Sequence, residues 1–228
     1  MTRPARLHFE HVAFDLDGTL LDSRADLAAA TNHVLRSFGL HEIPPRSVFA
    51  LVGEGARRLV ERALGPERAD DVDEGVRRFL AYYGAHLLDA SDLYPGVPQM
   101  LDMLIEARVT LSILSNKPEG MSRTILEGLH LTAYFQTVIG GDTLPTRKPD
   151  PGPLLHAAAL LGVPVDRLLM IGDSVNDVLA ARAAGSPVLV VPYGYNEGEP
   201  VQSLDADGIV PSLAAVVDRI RYVSSDPR

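Results

Sequence analysis

The chain has 228 residues, of which 46% are hydrophobic, and its formal net charge at pH 7 is −9. This length fits one large domain or a core with a small insertion, and the apolar fraction is ample for a buried core. The negative charge argues against a broad nucleic-acid or anionic-membrane surface, and the absence of cysteine excludes disulfides, thiolate zinc sites and cysteine nucleophiles.

The amino-terminal segment carries Arg3 and Arg6 but has no apolar signal core, because Glu10 and His11 interrupt the candidate run. No apolar stretch elsewhere approaches the ~20 residues that span a bilayer. We therefore predict a soluble, cytoplasmic protein that acts on neither nucleic acid nor membrane.

The first predicted strand begins at His11 and leads directly into Asp15 and Asp17. Side chains of a strand alternate between its faces, so these two carboxylates leave the strand end on the same side. Gly18 permits a sharp turn after them. Neighbouring carboxylates repel each other unless a shared proton or a cation intervenes, and a hard cation such as Mg²⁺ is the simplest relief.

Residues 23–92 contain no convincing strand and are predicted to form an α-helical cap. The sequence from Ser23 to Asp26 resembles a capping box that opens a helix, and the proline pair at 44–45 ends that helix. Two further helices are predicted at about 47–64 and 67–88. We therefore predict a cap domain at 23–92, inserted after the first strand of a core that comprises 1–22 and 93–228.

The remaining sequence alternates short apolar runs with helical patterns, which predicts a Rossmann-like, doubly wound α/β fold with a mostly parallel sheet. In such sheets, ligands bind beyond the carboxyl ends of the strands. The predicted strands are 109–114, 137–140, 168–172, 188–191 and 208–210, and the predicted helices are about 97–107, 119–129, 151–162, 174–184 and 211–223.

Polar residues follow the strand predicted at 109–114. The hydroxyl of Ser115, a donor from Asn116 and the free N–H groups of the next helix are suited to bind a phosphate. The same residues are also typical of a helix N-cap, which is the favoured interpretation of this segment in isolation.

Two further segments carry charged residues that suit the same chemistry. Lys148 lies in a proline-stiffened loop, where a fixed ammonium neutralises negative charge, although most such lysines are solvated surface residues. Asp173 follows the strand at 168–172, and Asp177 comes one helical turn later, so that Asp173 fits either a metal ligand or an N-cap.

Together these segments resemble the four signatures of the haloacid dehalogenase-like (HAD) phosphohydrolase superfamily, in the same order. The resemblance implies that Asp15 is the nucleophile and Asp17 the general acid and base, with Ser115 and Lys148 also catalytic. It implies Mg²⁺ as the cofactor. The metal-binding residues that the resemblance implies are Asp15, Asp17 through its backbone carbonyl, Asp173, and Asp177 as a ligand or as a support. The phosphate or substrate contacts that it implies are Gly18, Thr19, Ser115, Asn116 and Lys148.

Position 17 distinguishes branches of the superfamily, and an aspartate there implies a phosphatase or a phosphomutase. The loop Tyr193–Asn196 and the cap sequence from Val52 to Gly55 resemble the phosphoglycolate phosphatase-like branch. In the cap, Gly53 and Gly55 fit a loop that faces the substrate or an ordinary helix-breaking pair equally well.

The predicted function is therefore Mg²⁺-dependent hydrolysis of a small phosphorylated metabolite, 2-phosphoglycolate, through an aspartyl-phosphate. The alternatives are a β-phosphoglucomutase-like phosphomutase and a phosphatase for sugar phosphates, such as N-acetylmuramic acid 6-phosphate, or for pyrophosphate. A non-catalytic binding protein is disfavoured because the three principal aspartates are present. The sequence allows either a monomer or a homodimer.

Overall fold

The computed structural model describes residues 9–195 and 200–219 of the chain. Its strands are β1 (His11–Phe14), β2 (Leu21–Asp22), β3 (Asp92–Leu93), β4 (Thr110–Leu114), β5 (Phe135–Ile139), β6 (Leu168–Gly172), β7 (Val188–Val190) and β8 (Gly208–Ile209). Six of them form a parallel sheet in the order β5-β4-β1-β6-β7-β8, which confirms the predicted doubly wound α/β fold.

The centre of this sheet fixes where the first two carboxylates lie. Strand β1 pairs with β4 on one side and β6 on the other, so that Phe14 lies level with both Ile113 and Ile171. These three side chains are fully buried, as expected for strands that are covered on both faces. Asp15 therefore leaves the sheet at the middle of its carboxyl edge, between the ends of two neighbouring strands.

Nine helices cover the sheet and build the cap within the described residues. The cap helices are α1 (Arg24–Ser37), α2 (Pro45–Phe49), α3 (Ala56–Leu64) and α4 (Val72–Ala85); those of the core are α5 (Val97–Glu106), α6 (Glu119–Gly128), α7 (Gly152–Leu161), α8 (Val175–Ala184) and α9 (Ala214–Arg219). None of these helices is long and apolar enough to cross a membrane.

Two cap helices differ from the sequence-based prediction. The helix predicted at 47–64 is wrong as one element, because it breaks after Phe49 and resumes at Ala56. Gly53 and Gly55 have φ values of 133° and 86°, which do not fit a right-handed helix. The helix predicted at 67–88 is a 3₁₀ segment over Pro66–Asp71 followed by α4.

Two further predictions concern the ends of elements. The capping box predicted at Ser23 is absent, because the Ser23 hydroxyl makes no cap hydrogen bond and donates to Asp17. Of the terminal helix predicted at 211–223, the structure describes α9 over Ala214–Arg219, and the residues after 219 lie outside the described residues.

A two-stranded ladder joins the cap to the core and was missed in the sequence. Strand β2 pairs antiparallel with β3, so that Leu21 lies opposite Leu93 and Asp22 opposite Asp92. The chain thus leaves the core and returns to it side by side. Two residues per strand are too few to produce an alternating pattern in the sequence.

Candidate active site

Loops after β1, β4, β6 and β7 converge on one cavity between the sheet edge and the cap. The cavity encloses about 620 Å³ of empty space, including its open mouth. Its core side carries five of the predicted site residues: Asp15, Asp17, Ser115, Asn116 and Asp173. Side chains separated by up to 158 positions in the chain therefore share one cavity, as parallel strands that end at the same edge require.

The carboxylate of Asp15 is held by one of its two oxygens. Its Oδ1 accepts a hydrogen bond of 2.7 Å from the backbone N–H of Leu16 and lies 3.1 Å from Nζ of Lys148. The side chain is 13% exposed, toward the cavity. Burial raises the pKa of Asp15 to about 7, with Asp177 and Asp17 adding to the rise and Lys148 opposing it.

Lys148 is one of the most constrained side chains of the site, with 3% of it exposed. Its Nζ donates to the backbone carbonyl of Leu114 and to Oδ1 of Asp177, both at 2.6 Å, in addition to its contact with Asp15. Burial acts to lower the pKa of Lys148, but Asp15 and Asp177 outweigh it and raise the pKa above its usual value. The ammonium is therefore a fixed positive charge beside Asp15.

Asp173 and Asp177 occupy different layers of the site. Asp177 is fully buried, and its Oδ2 accepts from the backbone N–H and the hydroxyl of Ser174, in a capping box that opens α8. With Oδ1 bound to Lys148, both of its oxygens are engaged. Asp173 lines the cavity, whereas Asp177 contacts Lys148 and the backbone N–H of Asp173.

Two glycines allow the backbone to approach Asp173 closely. A Cβ atom at Gly18, whose φ is 84°, would lie 2.3 Å from Oδ2 of Asp173, and one at Gly194 would lie 2.2 Å from its Cβ. The hydroxyl of Thr19 donates to Oδ1 of Asp173 at 3.0 Å, and the N–H of Tyr195 donates to Oδ2 at 2.7 Å. These contacts fix the direction of the carboxylate.

The chemistry of the carboxylates fits a divalent cation. One oxygen from each of Asp15, Asp173 and Asp177 lies within 4.8 Å of the others. Burial raises the pKa of Asp173 well above its usual value, and the nearby Asp177 and Asp15 raise it further. Buried oxygen donors with mutual repulsion are stabilised by a hard cation, so the site can hold a metal ion.

Lys117 is a site residue that the sequence-based prediction omitted. Its Nζ donates to Oδ1 of Asp17 and to the hydroxyl of Tyr83 in α4, both at 2.7 Å. Ser23 donates to the same Asp17 oxygen at 2.5 Å. One signal was available in the sequence: the chain has only two lysines, and the other is Lys148.

The remaining predicted contacts divide into those that face the cavity and those that do not. Ser115, Gly53 and Gly55 line it. Thr19 is fully buried and does not line it, and its hydroxyl donates to Asp173. Gly18 likewise contributes a close approach to Asp173 and does not line the cavity.

The side-chain amide of Asn116, which was predicted as a phosphate donor, contacts backbone carbonyls on both sides of the cavity. It donates to the carbonyl oxygens of Gly53, at 2.9 Å, and of Lys148, at 2.8 Å. Both amide hydrogens are thereby engaged, so this side chain ties the cap loop to the core. In the loop predicted at 193–196, Asn196 lies outside the described residues.

The cap side of the cavity is chemically different from the core side. It consists of backbone around Gly53 and Gly55 and of mostly apolar side chains. These are Leu27, Val52, Ala56, Leu59, Phe79 and Leu80, together with Tyr83. The cap therefore shapes the cavity and excludes water, whereas the charged groups come from the core.

Comparison with known proteins agrees with this geometry. A family model described as haloacid dehalogenase-like hydrolase matches residues 12–191. The chain is 44% identical over 219 residues to a phosphoglycolate phosphatase of Rhodospirillum rubrum, covering 92% of this chain and 90% of the relative. It is 42% identical over 212 residues to a phosphoglycolate phosphatase of Nitrosospira multiformis, covering 91% and 93%.

A solved structure is similar over nearly the whole chain. The crystal structure of a predicted phosphoglycolate phosphatase from Haemophilus somnus superposes with a TM-score of 0.87 at 32% identity. The match covers 94% of this chain and 99% of that one. The cap and the core are therefore both shared with this relative.

Proposed function

The chain belongs to the haloacid dehalogenase-like hydrolases, and from this premise we propose that it is a phosphatase that hydrolyses 2-phosphoglycolate to glycolate and phosphate. The observation that carries the proposal is the pair of cavity-facing carboxylates, each with a lysine at one oxygen: Lys148 at Asp15 and Lys117 at Asp17. Two aspartates in one cavity with different partners are suited to two different roles.

In the proposed first step, Asp15 attacks the phosphorus atom and the bond from phosphorus to the ester oxygen breaks. Asp17 gives its proton to the departing alkoxide, which leaves as an alcohol, and Asp15 carries the phosphoryl group. In the second step, Asp17 takes a proton from water as that water attacks the phosphorus. Inorganic phosphate is released and the Asp15 carboxylate is restored.

The other residues stabilise charge during both steps. Lys148 supplies a fixed positive charge beside Asp15, and Ser115 presents a hydroxyl to the cavity. Asp15 and Asp173, with the backbone carbonyl of Asp17, would hold Mg²⁺, and Asp177 would support them. The bound ion would screen the negative substrate from the negative nucleophile.

The choice of 2-phosphoglycolate is supported by the names of the relatives, which match this chain over about nine-tenths of its length. A small substrate also fits a closed, largely apolar cap side with few polar groups to bind. We expect no role for nucleic acid.

The test is a phosphate-release screen with Mg²⁺ that compares 2-phosphoglycolate, sugar 6-phosphates including N-acetylmuramic acid 6-phosphate, nucleoside monophosphates and pyrophosphate. We expect the highest kcat/KM for 2-phosphoglycolate. A strong preference for another ester would overturn the substrate and leave the reaction class intact. Isomerisation of a sugar phosphate without phosphate release would instead indicate a phosphomutase.

A further inference from the structure

The chain uses lysine in only two places. The chain has 21 lysine and arginine residues, of which only Lys117 and Lys148 are lysines, and both are buried in the active site. All the others are arginines. An ammonium is a compact point charge, whereas a guanidinium is a wide planar group, so the two are not interchangeable in a tight site.

Lys117 connects the core to the cap. It follows β4 in the core, and its ammonium contacts the hydroxyl of Tyr83 in the cap helix α4. The same ammonium bonds Oδ1 of Asp17, and the side chain of Lys117 is only 4% exposed. Asp17 and Tyr83, which are 66 positions apart in the sequence, are thus bridged by one charged group.

The charge of Lys117 is already compensated within the protein. Burial acts to lower the pKa of Lys117, but Asp17 and Tyr83 outweigh it and raise the pKa above its usual value. The ammonium lies 2.7 Å from Oδ1 of Asp17 and is paired with it. Lys148, by contrast, lies beside Asp15, the proposed nucleophile.

The hydrogen bonds to Asp17 select one oxygen for proton transfer. Oδ1 accepts hydrogen bonds from both Lys117 and Ser23. A hydrogen atom on that oxygen would compete with the hydrogens that these two groups donate to it. A protonated Asp17 must therefore carry its hydrogen on Oδ2. The side chain is 13% exposed and lines the cavity, and Oδ2 is the oxygen that Lys117 and Ser23 leave for a substrate.

Resting on the proposed function, we propose that Lys117 is a positioning residue for Asp17, and that Tyr83 makes this positioning depend on the place of the cap. The ammonium holds Oδ1, turns Oδ2 toward the leaving group and is itself held by the cap hydroxyl. Displacement of α4 would remove Tyr83, one of the two partners of the ammonium. Proton transfer by Asp17 is therefore most effective when α4 contacts Lys117.

Substrates with different leaving groups distinguish a positioning role of Lys117 from a role in phosphate binding. An alkyl ester such as 2-phosphoglycolate needs a proton on its departing oxygen, whereas p-nitrophenolate departs without one. The kcat/KM value covers the steps up to the first transfer, in which Asp17 acts as the acid. A variant with a misplaced Asp17 should therefore lose alkyl ester hydrolysis and largely keep p-nitrophenyl phosphate hydrolysis.

The experiment measures kcat/KM for both esters in the wild type, Lys117→Met and Tyr83→Phe, with Mg²⁺. Positioned acids contribute ~10²–10⁴-fold, so we expect Lys117→Met to lower the alkyl value by about 30-fold and the aryl value by less than about 3-fold. For Tyr83→Phe, which keeps the ammonium, we expect a loss of about 5-fold on the alkyl ester alone. The alkyl ester is 2-phosphoglycolate or the best alkyl ester from the screen.

Equal losses on the two esters, or weaker inhibition by inorganic phosphate, would show that Lys117 binds the phosphoryl group and would overturn the proposal. An unchanged ratio of the two values in Tyr83→Phe would overturn the link to the cap. If Lys117→Met lacks a cooperative thermal transition, Lys117→Gln replaces it, with the same expected ratio. Arg123→Met is the matched control, because it removes one exposed positive charge from α6.

The activity of the wild type on the two esters separates a failure of the positioning proposal from a failure of the proposed function. Hydrolysis of neither ester by the wild type would refute the phosphatase. Hydrolysis of both esters, with equal losses in the Lys117 variant, would refute only the positioning role.

Discussion

The two halves of the cavity are built in opposite ways. The core half contains carboxylates and lysines whose polar atoms are bonded to one another, such as Lys148 with its three oxygen partners. The cap half consists mainly of backbone and apolar side chains such as Leu59 and Phe79. The core therefore holds the reacting groups rigidly, while the cap sets the shape of the cavity and the access to it.

Few polar contacts connect the two halves among the described residues at the cavity. The amide of Asn116 donates to the carbonyl of Gly53, and the ammonium of Lys117 donates to the hydroxyl of Tyr83. Both of these connections start from the loop after β4, and Ser23, at the start of the cap, adds a hydrogen bond to Asp17. The position of the cap therefore acts on the charged half of the site mainly at this loop and at Asp17.

The largest expected effect lies in the core half. Replacing Asp15 by Asn keeps the size of the side chain but removes the nucleophilic oxygen, so we expect kcat to fall by about 10³-fold or more. Phosphate release from 2-phosphoglycolate measures it. Asp166→Asn, an exposed change of the same kind, is the control. Substantial activity of Asp15→Asn would rule out this residue as the nucleophile.

The next effect concerns the cation. Mg²⁺ at about ten times its Kd should stabilise the wild type by about 1.4 kcal/mol, or a Tm increase of about 3–5 °C. In Asp173→Asn one carboxylate of the cluster is lost, so we expect this increase to disappear. Thermal unfolding with and without Mg²⁺ measures it. An equal increase in wild type and variant would place the ion elsewhere.

The cap half can be tested through its packing. Gly75 of α4 lies against α3, and a Cβ there would come within 2.7 Å of Val60 and 3.0 Å of Leu64. We expect Gly75→Ala to lower the free energy of unfolding by about 1–3 kcal/mol through overpacking.

A matched glycine-to-alanine change in the core should raise the free energy of unfolding. A Cβ at Gly120 of α6 meets no atom within 4 Å, so we expect Gly120→Ala to stabilise the protein by about 0.5 kcal/mol through helix propensity. Denaturant unfolding measures both variants. A stabilised Gly75→Ala would mean that the two cap helices are loosely packed.

The smallest expected effect is on selectivity. Leu80 lines the cap side of the cavity, and Leu80→Gln should change kcat/KM for 2-phosphoglycolate by about 3- to 10-fold, as small changes in a pocket do. Inhibition by inorganic phosphate should stay constant, because the core half binds that group. A matching change in phosphate inhibition would contradict the division between the halves.

The core was predictable from sequence to a greater extent than the cap. Apolar runs such as the one at 168–172 are local signals, and the rule for parallel sheets places their carboxyl ends together. The cap gave no equivalent rule. Whether residues 47–64 form one helix depended on the backbone at Gly53 and Gly55, which the propensities of the surrounding residues do not reveal.

From the sequence came the order along the chain of the strands of the six-stranded sheet and of the helices between them, and the positions of Asp15, Asp17, Lys148 and Asp173 after strands, because these features arise from neighbouring residues. The partner that each polar group receives depends on the folded chain. The hydroxyl of Thr19 turns to Asp173, 154 positions away, and Lys117 turns to Asp17, 100 positions away. A buried donor takes the acceptor that the folded chain brings within reach, and separation along the sequence does not specify that distance.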